Sequence, residues 1–281
     1  MTTATTTTTT TIPGQPDVGA VPEWRYAVTD ALSIAWRNLL AYVRLPQLLV
    51  FSTIQPTIFV LMFRYVFGGS MALVVAQRLP GVDYVDFLMP GIFVQTAVFG
   101  AMGTAIGLAQ DLDKGMIERF RSLPIARSAV LMGRTLADSV RNVFVVVLMT
   151  VVGFMVGFRP DGNVAKYLLA MALVVLFGFS LSWIMAAIGL SVPNAETAQA
   201  AVFPLIAPMI FASSAFTPTE TMPGWLQVFA NHQPVTITID AVRRLILDQP
   251  VEQYVWGSLL WSFALVAVFA PFAVRQYRRV R

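Results

Sequence analysis

The stretch YLLAMALVVLFGFSLSWIMAAIGLSVPNA, Tyr167 to Ala195, runs for 29 residues without a charged side chain. A helix rising about 1.5 Å per residue needs about 20 apolar residues to cross the hydrocarbon core of a bilayer, and this stretch exceeds that length. Five further charge-free windows surround it: Leu45 to Phe63 (19 residues), Phe87 to Gln110 (24), Asn142 to Phe158 (17), Thr197 to Thr219 (23) and Gln253 to Val274 (22). Together the six hold 134 of the 281 residues, and only 34 residues of the chain are charged. That is about half the charge of an ordinary soluble domain. The pattern predicts an all-α polytopic membrane protein with six transmembrane helices, organised as one domain over residues 23–281.

Residues 1–22 read differently. Seven consecutive threonines, Thr5 to Thr11, lie among Pro and Gly, a composition that predicts a disordered cytosolic tail. It lacks the basic region and short apolar core of a cleavable signal. In the segment Glu23 to Arg44, the charged residues Glu23, Asp30, Arg37 and Arg44 recur every seven positions. Val28, Ala31, Leu32, Ala35, Leu39 and Val43 mark the opposite face. An amphipathic helix is predicted, lying along the membrane interface or packed on protein.

With six crossings and a cytosolic N-terminus, the inner connections carry eleven Lys/Arg: Arg25, Arg37, Arg44, Lys114, Arg119, Arg121, Arg127, Arg275, Arg278, Arg279 and Arg281. The outer connections carry five: Arg78, Arg159, Lys166, Arg243 and Arg244. The imbalance predicts both termini inside. Arginines at span ends also account for the formal charge of +4 without a nucleic-acid partner.

The sequence carries no chemistry of its own that stands out. No G-x-x-x-x-G-K-[ST] loop or H-E-x-x-H occurs, there is no cysteine, and the one histidine is His232. Neither a catalytic residue nor a metal site is expected. Small residues suggest packing instead: Gly103 and Gly107 form one G-x-x-x-G, and Gly153 and Gly157 a second. Pro56, Pro204 and Pro208 interrupt spans one and five, as static bends or as points where a pathway changes shape. Arg134, Asp138 and Arg141 lie beside span three and leave an ion-coupled carrier or channel as an alternative. After Phe216, two short helices are predicted near Trp225 to Ala230 and Val235 to Leu247, too short to cross. Between spans two and three, Met116, Ile117, Phe120 and Leu123 are interleaved with charges, suiting either a docking helix for a cytosolic partner or a solvated loop.

In order along the chain, these pieces resemble the permease subunit of type-2 ABC exporters, particularly the daunorubicin/doxorubicin-resistance type. The resemblance covers about residues 24–279. It rests on the interfacial segment, Phe67-Gly68-Gly69, Asp86-Phe87-Leu88-Met89-Pro90-Gly91, Glu118-Arg119-Phe120-Arg121 through Pro124, and Ser213 to Pro218 with Met222-Pro223-Gly224-Trp225. Gln233-Pro234 and Ala241-Val242-Arg243 complete it. The resemblance implies a separate nucleotide-binding subunit that binds ATP and Mg, and a second permease subunit, identical or related. It also implies export of a hydrophobic or amphipathic molecule: a drug or antibiotic first, a polyketide or cell-envelope lipid second. Glu118, Arg119, Phe120, Arg121 and Leu123 would form the ATPase-coupling helix, with Glu196 a further ATPase contact. The region of Phe216, Pro218, Pro223, Gly224, Trp225 and Arg243 would form external re-entrant helices.

Overall fold

The computed structural model describes residues 23–44, 46–116 and 127–279. The expectations for the tail, and for Glu118, Arg119, Phe120, Arg121 and Leu123, fall outside those residues. Every regular element among the described residues is helical. α1 (Glu23–Arg44) is the predicted amphipathic helix. α2 (Pro46–Leu61) continues through a single π turn, Met62–Val66, and α3 (Gly68–Arg78) bends away from it by 80°. The long helices α4 (Tyr84–Asp113), α5 (Arg127–Val156) and α6 (Val164–Gly189) follow. α7 (Ala195–Phe211), a short 3-10 turn, α8 (Gly224–His232), α9 (Pro234–Ile246) and α10 (Glu252–Arg279) complete the chain.

Among the described residues four helices, α4, α5, α6 and α10, are long and apolar enough to cross a membrane, and the bent α2–α3 pair would make a fifth if it forms one span. α7, at 17 residues, is shorter. The 23-residue window that suggested a longer fifth span ends early because the backbone leaves the helix at Ala212 and tucks Ser213, Ser214, Ala215 and Phe216 back into the interior.

Local signals explain the boundaries. Asn163 and Asn194 cap α6 and α7, each accepting from the backbone N–H three residues on, both at 2.9 Å. Gly157, at φ 107°, ends α5, and the Phe158 N–H reaches back to the Gly153 carbonyl at 2.9 Å.

The core sits where α4 crosses α6. Gly189 lies against the Ala105 backbone, and Gly91 against the Ala215 backbone, so closely that a Cβ at either would overlap main chain. Backbone contact of this kind replaces the water-driven packing of a soluble core. The outside is correspondingly apolar: Phe51 and Val66 on the first span and Trp256 and Leu260 on α10 are exposed, as a lipid-facing surface requires. α1 packs on α5 through Ala31, Ile34 and Ala35, yet leaves Trp36 64% exposed.

Candidate functional site

Arg134, Asp138 and Arg141 recur at i, i+4 and i+7 on α5, one helical face by geometry alone. That face turns inward. Asp138 is 1% exposed. Its carboxylate accepts from the Tyr42 hydroxyl of α1 at 2.9 Å and from Thr104 Oγ1 of α4 at 2.6 Å. Arg134 Nε and Arg141 Nη1 approach it to 3.8 and 4.0 Å. Arg134 also reaches Asp111 at 3.0 Å, near the end of α4, while Arg141 donates to the Gly100 carbonyl and lies over the Tyr42 ring. Two cations face two anions, the condition under which charge is tolerated away from water.

The glycines of α4 make room for these side chains. A Cβ on Gly103 would come within 2.7 Å of Arg141 Nη1, and one on Gly107 would overlap the Arg134 guanidinium. The spacing read as a backbone seam thus faces a slot filled by arginines. Gly153 does lie against another helix, its added Cβ 2.7 Å from Met89 Cε of α4, whereas Gly157 has open space and serves the helix end.

At the other end of the bundle, Arg243 of α9 is buried and fully engaged. Its Nη1 pairs with Asp240 at 2.8 Å, its Nε donates to the Phe87 carbonyl at 3.1 Å, and its Nη2 to the Ser214 carbonyl. The guanidinium also lies 3.8 Å from the Phe87 ring centre. Ser214 Oγ donates to Asp240 at 2.7 Å, and the Tyr84 hydroxyl to the Phe216 carbonyl at 3.1 Å. Burial pushes the Asp240 carboxyl up and the Arg243 guanidinium down to about 10, each opposed by the attraction of the other. The clamped link presents Phe216, which stacks on Phe63 of the π turn with ring centres 4.3 Å apart. A polar cavity of about 600 Å³ opens beside the clamp, lined in part by Arg78, Glu220, Arg244 and Tyr254.

Of the other residues singled out from sequence, Glu196 is exposed in the first turn of α7. Pro218 is buried ahead of the 3-10 turn. Pro223 and Gly224 open α8, and Trp225 points outward. The pairings of Tyr42, Thr104 and Asp111 around the α5 charges, and of Asp240 and Ser214 around Arg243, were not anticipated. Only the i,i+3 spacing of Asp240 and Arg243 was a usable signal. Among the described residues, no group of three or more His, Cys, Asp or Glu side chains is placed to hold a metal.

The sequence model of the family described as "ABC-2 type transporter" matches residues 29–247. The chain belongs to that family. Among curated relatives, this ABC-2 chain is 35% identical over 260 residues to the daunorubicin resistance ABC transporter permease protein DrrB1 of Streptomyces coeruleorubidus, covering 92% of this chain and 90% of that protein. It is 28% identical to the probable doxorubicin resistance ABC transporter permease protein DrrC of Mycobacterium tuberculosis, over 80% of each. The probable multidrug ABC transporter permease YbhR of Escherichia coli is 23% identical, over 71% of this chain and 54% of that protein.

Proposed function

We propose that this chain is the membrane-spanning permease of an ABC exporter for hydrophobic or amphipathic molecules, in the manner of drug or antibiotic efflux. A separate nucleotide-binding subunit binds and hydrolyses ATP with Mg, and a second permease, identical or related, completes the assembly. The observation that carries this reading is the near end-to-end likeness to a daunorubicin resistance permease.

In the proposed arrangement α2, α4, α5, α6, α7 and α10 cross the membrane, α1 lies at the inner interface, and α8 and α9 re-enter from outside. Both termini and residues 1–22 are cytosolic, as the distribution of Lys/Arg favours. Glu118, Arg119, Phe120, Arg121 and Leu123 dock on the ATPase, with Glu196 nearby. The geometry supports transmission from that dock. Asp111 and Arg134 tie the stems of α4 and α5 on either side of the docking segment, and Asp138 extends the tie to Tyr42 on α1. A push on the segment would therefore move three helices together rather than one loop.

The test compares Phe120→Ala/Leu123→Ala with Arg127→Ala in proteoliposomes holding the permease and its candidate ATPase. Loss of apolar burial should cut substrate-stimulated ATP hydrolysis and co-purification about tenfold, against less than about twofold for a single screened charge. Normal complex formation, stimulation and export in the double variant would refute the docking assignment.

A further inference from the structure

The polar cavity of about 600 Å³ beside the Arg243 clamp is walled by the end of α3, the link after α7, and α8, α9 and α10, and its size falls within the roughly 300–1,000 Å³ range of small-molecule sites. Arg243 spends its guanidinium on Asp240 and two carbonyls. The other two arginines on the walls are not so engaged. The side chain of Arg78, exposed at the end of α3, has neither a hydrogen bond nor an ion pair among the described residues. Half-buried Arg244 lies 4.1 Å from the Tyr254 ring centre and makes two long bonds, each 3.3 Å, to the Pro250 carbonyl and the Tyr254 hydroxyl. That leaves most of its five N–H donors unspent. Asp248, four residues on, is paired with Lys166 instead.

One carboxylate on the walls, Glu220, also forms no ion pair among the described residues. The cavity therefore offers two unpaired guanidinium groups and one unpaired carboxylate, a net positive lining once Asp240 and Arg243 neutralise each other. A guanidinium fork suits the oxygens of a phosphate, and a carboxylate suits an ammonium beside it. The mouth leads onto an apolar track. Gln253 lines the cavity and, with Trp256 and Leu260, occupies positions i, i+3 and i+7 of α10, one helical face. Trp256 is 71% and Leu260 72% exposed. A polar recess opening onto an exposed aromatic and aliphatic face has the order of a headgroup followed by acyl chains, with the tryptophan at the boundary.

We propose that this cavity holds the headgroup of a phospholipid, a phosphoethanolamine whose phosphate meets Arg78 and Arg244 and whose ammonium meets Glu220, with its acyl chains along the exposed face of α10. The site belongs to the permease chain alone and does not depend on which molecule is exported. A water-soluble phosphate ester shares the headgroup chemistry but would make no use of Trp256 and Leu260.

The chain contains no cysteine, so single labelling sites report cleanly. Gln253→Cys lies on the cavity wall, and Ala165→Cys, exposed at the start of α6, lies outside it at the same end of the bundle. Each full-length variant is placed in nanodiscs of phosphatidylethanolamine or of digalactosyldiacylglycerol, both uncharged overall, and labelled with a water-soluble maleimide. Phosphatidylethanolamine should slow labelling of Gln253→Cys at least about fivefold and leave Ala165→Cys unchanged, as a site held by charge-assisted bonds requires. Adding Arg244→Gln should remove most of that protection, Arg244→Lys should keep most of it, and Arg78→Gln should fall between. In discs of galactolipid doped with one phospholipid, phosphatidylethanolamine should protect better than phosphatidylglycerol, and Glu220→Gln should erase that preference. Equal labelling in the two lipids, protection indifferent to Arg244→Gln, or equal slowing at Ala165→Cys would each overturn the proposal. Glycerophosphoethanolamine, added at millimolar concentration to galactolipid discs, should not protect; protection by it as strong as by the lipid would make the ligand a soluble phosphate ester and overturn the lipid assignment.

Discussion

The network around Asp138 and the clamp around Arg243, at opposite ends of the bundle, both bury an ion pair, yet they are built from different parts. Asp138 draws its partners from three helices, and its neighbours Arg134 and Arg141 are cations on its own helix. Arg243 meets one carboxylate three residues away and completes its shell with two backbone carbonyls and a ring. In the first case one carboxylate balances charges along a spanning helix. In the second one arginine ties a non-helical link to α4 and α9. Removing the key residue should therefore have unequal consequences: uncompensated charge inside the bundle in one place, a loosened link after α7 in the other.

The largest expected effect is Asp138→Ala. It strips Arg134 and Arg141 of their shared counter-ion and should cost about 3–5 kcal/mol, read as a lower thermal midpoint and lower yield in detergent. Asp138→Asn should fall between, because its one amide oxygen still accepts from either the Tyr42 or the Thr104 hydroxyl, which bond to different oxygens of the carboxylate. An unchanged midpoint in Asp138→Ala would mean that water already reaches the network.

Arg243→Met should cost about 2–3 kcal/mol, since Asp240 faces the polar cavity and can partly hydrate. Adding Asp240→Leu should recover part of the loss. The pH dependence has a definite sign. Without Arg243, the Asp240 pKa moves further up from an already raised value, so the folded chain takes the proton more readily than the unfolded one. The single variant should therefore gain stability relative to the parent as pH falls from 7 toward 5. A midpoint deficit independent of pH would show that the lost carbonyl ties matter more than the unpaired carboxylate.

Tyr42→Phe is the smallest. It removes one hydroxyl bond to a carboxylate, about 1.5 kcal/mol, and keeps the ring under Arg141. Its sharper readout is coupling: export should fall more than stability if α1 moves with α5, and the two should fall together if Tyr42 only packs.

Much of the fold was legible in the chain. The apolar windows located α4, α5, α6 and α10, because crossing a bilayer demands a length of apolar residues that few other structures need. The heptad of charges gave α1 with its observed bounds, and the punctuation after Phe216 gave α8 and α9. The third window began only at Asn142 although α5 begins at Arg127, since a rule based on freedom from charge stops at Arg141. The glycine spacing at 103 and 107 was visible, but what fills the space opposite was not. G-x-x-x-G admits a backbone or a side chain equally, and the choice lies with Arg134 and Arg141 on another helix.

By itself, then, the sequence determined what the bilayer and the local backbone impose: helical spans, their approximate places, the amphipathic helix, and an uneven distribution of Lys and Arg among their connections. These are properties of a segment against its solvent, and a segment carries them alone. Only the tertiary structure decided which partners neutralise Asp138, that Gly189 rather than Gly103 meets another backbone, and that Arg243 holds the Phe216 link from inside. Those outcomes depend on pairs of residues far apart in the chain, whose meeting is set by how whole helices cross.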